Sequence, residues 1–322
     1  PYTTLFRSRR IARTKPIVAV KSGRTTAGVR AAGSHTAALA ASDVAVNALF
    51  QQSGVIRADT IDEMFDIATC LDAQPLPAGS RVAIVTNAGG PGILAVDACV
   101  AAGLEVVDFS AETRARLAAF LPPEANISNP VDMIASAGAE EYRHSVQVAL
   151  TAPEVDALIV IYTPVYPETQ AATHGAIAQG VAAGRLAGAT GKPVLACLMA
   201  DAGAHGPLTV DYPPQAEPGA PVRERIPVYA FPENAARALG KVSAYAVWKG
   251  RSRPAPVLET ARPGRSGSKK AASETPRTSV ESASSATRSA NRRLVFARKL
   301  SLMTPAGRCV AKIRCRPSDR PR

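Results

Sequence analysis

Apolar positions in this chain fall into two kinds of stretch that take turns. Short β-branched runs occur at 16–21 (PIVAVK), 81–86 (RVAIVT), 104–108 (LEVVD), 155–162 (VDALIVIY), 193–198 (PVLACL) and 227–231 (PVYAF). Between them lie Ala-rich stretches with helical spacing, at 36–53, 61–71, 93–102, 112–120, 141–150, 169–186 and 233–247. The short runs have strand length and composition, and the longer ones read as helices. Asp59 and Thr60 offer caps for the helix at 61–71. Strand and helix alternate throughout, which predicts an α/β fold: a parallel sheet with right-handed crossovers and helices on its faces. The run at 155–162 is apolar at nearly every position, as expected of a strand covered on both sides. The Pro/Gly stretch 75–79 divides the body into a piece at 9–75 and a piece at 76–253.

Charge changes this picture at the ends only. The 322 residues carry a formal charge of +12, but residues 11–253 hold 19 Lys+Arg against 22 Asp+Glu. The excess sits in residues 1–10, with three Arg and no acid, and in 254–322, with 16 basic residues against four acidic. A nucleic-acid reading from net charge therefore rests wholly on the ends. Residues 1–8 (PYTTLFRS) read as translation of a sequencing adapter, with the chain then entering a strand almost at once. Residues 254–322, rich in Ser, Arg, Thr and Pro without apolar period, are expected to be disordered or out of frame. Five cysteines show no metal spacing; three lie in apolar segments, which suits buried free thiols in a reducing cytoplasm. No run has membrane-spanning length.

The chemistry concentrates in three places. The first is KSGRTTAGVRAAGSHTAAL at 21–39, a basic, Gly- and Ser-rich loop after a strand. It leads to His35, which stands between the hydroxyl residues Ser34 and Thr36 just before a helical run. Glycines let backbone N–H groups converge on an anion, and a helix start adds donors and positive dipole. An imidazole there is placed to carry a phosphoryl group; the bland reading, a capping or solvent-facing histidine, stands beside it. Lys21, Gly23 and Arg24 anchor that loop or offset phosphate charge, or form a solvated turn. The second place is NAGGPG at 87–92, a strand–turn–helix junction without the GK[ST] of a P-loop. Asn87, Gly89, Gly90 and Gly92 are its candidate phosphate contacts, although a Gly-rich turn is also simply tight. The third is Asn129-Pro130-Val131-Asp132, a turn in which Asp132 supports a loop or caps a segment. The strand-end YTPVYP at 162–167 falls where open α/β sheets bind ligands. His144, His174 and His205 lack metal spacing, and no metal site is expected.

Four segments resemble one family, in order and without large gaps. They are KSGRTTAGVRAAGSHTAALAASD, VAIVTNAGGPGILAVDAC, FLPPEANISNPVDMIASA and VDALIVIYTP. The chain is similar over about residues 15–248 to the NDP-forming acyl-CoA synthetases, relatives of succinyl-CoA synthetase. The resemblance implies a succinyl-CoA synthetase-like piece at 9–75 carrying the phosphohistidine loop, and a flavodoxin-like domain at 76–253. It implies the reaction acyl-CoA + ADP + phosphate = carboxylic acid + ATP + CoA through phosphate on His35, with the 87–92 helix start facing that histidine. ATP or ADP, Mg2+ and CoA belong to the parent enzyme. CoA-binding and ATP-grasp domains are expected elsewhere in cis or on a second subunit of an oligomer, and this stretch is expected to lack complete turnover alone. Two alternatives stay open. One is the ligand-sensing part of a protein acetyltransferase fused to a GNAT domain. The other is a non-enzymatic nucleotide- or anion-binding module with a basic tail.

Overall fold

The computed structural model of the chain describes residues 2–31, 43–199, 207–213 and 222–251. A helix α1 (Tyr2–Thr14) comes before strand β1 (Ile17–Val20). The expectation of an immediate strand is corrected here. Arg13 at the end of α1 donates to the carbonyls of Lys249 and Arg251, 3.2 and 3.1 Å away, and covers the Trp248 ring. A cation thereby meets the carbonyl end of the last helix, where the dipole favours it. The expected loop after β1 contains a short helix, α2 (Thr26–Ala31). Next come α3 (Asp43–Ser53), β2 (Val55–Ala58) and α4 (Ile61–Ala73). Thr60 caps α4, its hydroxyl accepting from the Glu63 amide at 3.0 Å. Strands β1 and β2 pair in parallel.

The second part runs β3 (Arg81–Thr86), α5 (Gly89–Ala101), β4 (Glu105–Val106), α6 (Ala111–Ala118), β5 (Val131–Asp132), α7 (Ala139–Thr151) and β6 (Ala157–Tyr162). It continues α8 (Gln170–Leu186), β7 (Val194–Leu198), β8 (Leu208–Tyr212), β9 (Val222–Ile226), β10 (Val228–Tyr229) and α9 (Pro232–Gly250). The main sheet is six-stranded and parallel, in the order β10-β7-β6-β3-β4 with β5 also on β3. This is the predicted α/β architecture, with helices on both faces.

Side chains alternate cleanly across the sheet. Ala83, Val85, Leu158, Val160, Val194 and Ala196 point into one core with α6, α7 and α8. Val82, Ile84, Ala157, Ile159, Leu195 and Cys197 point into the other, with α4, α5 and α9. That second core also takes in Val18 and Ile56, so β1 and β2 share it. Every residue of β6 is buried, which explains its unbroken apolar run.

The hairpin β8–β9 is antiparallel and carries no apolar run of strand type. A buried ion pair holds it. Arg185, 1% exposed, donates to both carboxylate oxygens of Glu224 at 2.9 and 2.8 Å. It also donates to the carbonyls of Ala189 and Lys192, while Gln74 links Glu224 to the amide of Val194.

Candidate functional site

The chain leaves β3 toward β4 and β5 on one side, whereas β6 pairs with it on the other. The carboxyl ends of β3 and β6 therefore border a topological switch point, where open α/β sheets leave a crevice. Asn87 follows β3 and Thr163 follows β6. The Asn87 amide donates to the Thr163 carbonyl at 2.8 Å and accepts from the Thr163 amide at 2.9 Å. Asn87 is 2% exposed. Its side chain is thus the rung that joins the two strands where their ladder ends.

Helix α5 begins two residues later. Ala88 is its N-cap and gives no side-chain hydrogen bond. Thr86 fixes the turn instead, its hydroxyl bonding both the amide and the carbonyl of Ala88 at 3.0 Å. A helix start leaves its first amides without intrahelical acceptors. Pro91 has no N–H, so the Gly89 and Gly90 amides are the donors at this end. Gly90 is exposed, and a Cβ there would meet nothing within 4 Å. A Cβ on Gly89 would lie 3.0 Å from Asp132 Oδ2, and one on Gly92 3.1 Å from Thr86 Cγ2. The glycines let α5 start close against its neighbours.

The Asn129–Asp132 turn is that neighbour. β3 pairs with β4 at Arg81 and Val82, and with β5 at Val85 and Thr86. Asn129 fills the space between. Its Oδ1 accepts from the Ile84 amide at 2.9 Å, and its Nδ2 donates to the carbonyls of Val82 and Val107, both at 2.8 Å. Asp132 Oδ1 accepts from the Ile134 amide at 3.1 Å, at a residue held with φ 62°. Asn87, Gly89, Gly90, Gly92, Asn129 and Asp132 therefore gather at one edge of the sheet.

Lys21, Gly23 and Arg24 follow β1. Lys21 Nζ reaches the carbonyls of Ser22 and Gly23 and stands 3.8 Å from Asp43. Arg24 pairs with Asp59 at 2.8 Å, and Arg57 pairs with Asp43 at 2.8 Å. The Arg57 hydrogen bond holds the Asp43 carboxyl below its usual range. Gly23 takes φ 69°, which glycine adopts without strain. These groups frame residues 31 and 43. Ser34, His35 and Thr36 lie between, outside the described residues, as do His205 and the tail at 254–322.

A cavity of about 170 Å³ lies beside the crevice, bordered by Asn87, Tyr162 and the starts of α7 and α8. The YTPVYP segment supplies Tyr162, Val165 and Tyr166 to it. Tyr162 is 2% exposed, and its hydroxyl has no hydrogen-bond partner among the described residues. Reading by motif did not single out Thr86, Thr163 or Tyr162 as individual residues. Their position at the ends of β3 and β6 is the signal that marks them. Among the described residues no group of three His, Cys, Asp or Glu is placed to hold a metal ion.

Residues 5–71 match the family described as Succinyl-CoA ligase like flavodoxin domain, and residues 82–213 match the Ligase-CoA domain. The chain is 45% identical over 193 residues to an ADP-forming acetate–CoA ligase II subunit alpha of Pyrococcus furiosus. That match covers 60% of this chain and 42% of the relative. The chain belongs to the NDP-forming acyl-CoA synthetase family. The corresponding I subunit alpha from the same organism is 33% identical, over 75% of this chain and 49% of its own. A dinucleotide-forming acetyl-coenzyme A synthetase 1 of Ca. Korarchaeum cryptofilum, solved with phosphate and ADP, has the same fold. Its TM-score is 0.63 at 29% identity, over 77% of this chain and 50% of that one. The chain spans about half the length of these acyl-CoA synthetases.

Proposed function

We propose that this chain is the part of an ADP-forming acyl-CoA synthetase that carries the phosphoryl group, with His35 as the carrier. The observation that carries this reading is the start of α5. Its end amides are uncapped by any side chain, glycines line it, and it opens at the switch-point edge of a parallel sheet. Such an end is a site for a phosphate-sized anion, because its donors and its dipole, worth about half a positive charge, are already in place. The acyl-CoA synthetase family gives the anion its identity.

In the proposed sequence, phosphate oxygen attacks the thioester carbonyl and CoA leaves as the thiol, giving an acyl phosphate. A neutral imidazole nitrogen of His35 then attacks phosphorus, and the carboxylate leaves. A β-phosphate oxygen of ADP takes the phosphoryl group and frees the imidazole. Neutral imidazole is available for this near pH 7, its unperturbed pKa being about 6.5. The amides of Gly89 and Gly90 would meet the transferring charge without reorganising. Asn87, Asn129 and Asp132 are positioning residues that fix the helix start. ADP and acyl-CoA act as substrates, and CoA is released as a product. Mg2+ would be held with the phosphates of the nucleotide. The partners are the nucleotide-binding and CoA-binding parts of the same enzyme, on this or another subunit, in the cytoplasm. No helix among the described residues is long and apolar enough to cross a membrane.

The test is mass spectrometry of the full-length parent after incubation with ATP and Mg2+. An acid-labile phosphate on His35, absent in His35→Ala, is expected. A parent that turns over acyl-CoA while His35 stays unmodified overturns the reading.

A further inference from the structure

One cluster of charges meets both ends of the sequence that contains His35. β2 supplies Arg57, and Asp59 stands immediately after that strand. Arg57 Nη2 donates to both carboxylate oxygens of Asp43, at 2.8 and 3.0 Å. Arg24 pairs with Asp59 at 2.8 Å. In sequence, His35 lies between Arg24 and Asp43. The two pairs are joined, since Arg57 Nε stands 3.8 Å from Asp59 and Lys21 Nζ stands 3.8 Å from Asp43.

Stability does not account for this cluster. Ion pairs with an exposed partner add little to folding, and the Asp43 and Asp59 side chains are 35% and 48% exposed. The cations are the buried members: Lys21 and Arg57 are only 10% and 11% exposed, and taking a cation out of water is unfavourable. Arg57 Nε is buried and has no hydrogen-bond partner among the described residues. The base beneath the cluster is fixed. β2 pairs with β1 at all four of its residues, and the Asp59 amide donates to the Glu63 carboxylate at the start of α4.

We propose that Arg57 is a positioning residue for phosphoryl transfer: through Asp43 directly, and through Asp59 to Arg24, it holds both ends of the His35-bearing stretch at the end of β2. This rests on the carrier reading of His35. Chain held at both ends explores a smaller volume than chain held at one, so the imidazole meets its phosphoryl donor more often. The role calls for arginine. Its planar fork takes both oxygens of Asp43 on one edge and keeps Nε for the Asp59 side, which a lysine ammonium cannot do.

The test is rapid-quench kinetics on the full-length parent with labelled ATP and Mg2+, reading phosphate on His35 against time. Arg57→Lys keeps the charge and loses the fork. Asp43→Asn keeps the shape and loses the charge, at a side chain exposed enough to tolerate the change. Each is expected to slow phosphorylation of His35 about 10- to 100-fold, with the half-saturating ATP concentration within about twofold of wild type. The double variant should be about as slow as the slower single variant, because both changes break one link. Asp43→Glu, which keeps a carboxylate, should recover most of the rate. Asp211→Asn, which breaks an exposed pair with Arg223 elsewhere on the surface, should match wild type. Wild-type rates in both single variants, or losses that multiply in the double variant, overturn the inference and leave the carrier reading standing. An unmodified His35 in the wild-type parent overturns both.

Discussion

Replacing Asn129 by alanine should cost far more than a turn residue ordinarily does. The side chain stands in for a missing piece of strand, bonding the Ile84 amide and the Val82 and Val107 carbonyls at 2.8–2.9 Å. Val82 and Ile84 are fully buried. Three hydrogen bonds at a net value of about 1 kcal/mol each give a loss of about 3 kcal/mol. Each buried backbone group left without a partner adds to this, and a water admitted to the gap would return part of it, so about 3–5 kcal/mol is expected. Asn129→Asp makes the sharper comparison. It keeps the acceptor for Ile84 but turns the donor into a carboxylate oxygen facing two carbonyls. The aspartate variant, closer in shape, should therefore be at least as unstable as the alanine one. Urea unfolding followed by circular dichroism measures both. An alanine variant within about 1 kcal/mol of wild type, within the range of an ordinary surface change, would refute the bridging role. So would an aspartate variant as stable as wild type.

Acid should act through two carboxylates. The hydrogen bond from Arg81 holds Asp156 below its usual range. Burial pulls Glu224 upward, but the bonds from Arg185 and its neighbours outweigh that and leave it lowered. Groups with depressed folded values stabilise fully above their unfolded pKa of about 4 and lose that contribution as pH falls through the folded value. The melting temperature should thus be level at neutral pH and fall below about pH 4, with a shallower fall in Glu224→Gln. An identical acid limb in that variant counts against the assignment. The α7–α8 contact offers a second test. A Cβ on Gly180 would come 2.5 Å from the Arg143 carbonyl, whereas one on Gly184 would meet the tip of Leu150 at 2.7 Å. Gly180→Ala should destabilise by about 1–3 kcal/mol and Gly184→Ala by less, since a side-chain tip yields and a backbone does not. The reverse order in urea unfolding would contradict this packing.

Most of the sheet was legible because each of its longer strands carries its own apolar run. β3 was placed to the residue, and β6, buried on both faces, stood out in any window. What stayed hidden depends on partners distant in sequence. The strands β8 and β9 are polar on their outer faces and are held by Glu224 of β9 pairing with Arg185 of α8, a relation no local pattern carries. α1 follows the same rule: its end is fixed by Trp248 and the carbonyls of α9, more than 230 residues away. The site divides along the same line. NAGGPG and NPVD announced themselves as a Gly-rich junction and a turn, and the two do meet. By motif, however, Asn87 reads as a phosphate contact, and Asn129 and Asp132 as support for a loop. In the structure Asn87 and Asn129 spend their amides on backbone groups of other strands, because a parallel sheet whose ladder ends early leaves donors and acceptors that something must satisfy. A short amide side chain at a strand end is the cheapest group for that task, and the same residue type suits a phosphate contact, so composition alone could not separate the two roles. The roles are complementary here. By fixing β3 to β6 and to the NPVD turn, the two asparagines hold the α5 start rigid. That leaves the backbone amides of Gly89 and Gly90, which no side-chain pattern describes, as the groups free to meet an anion.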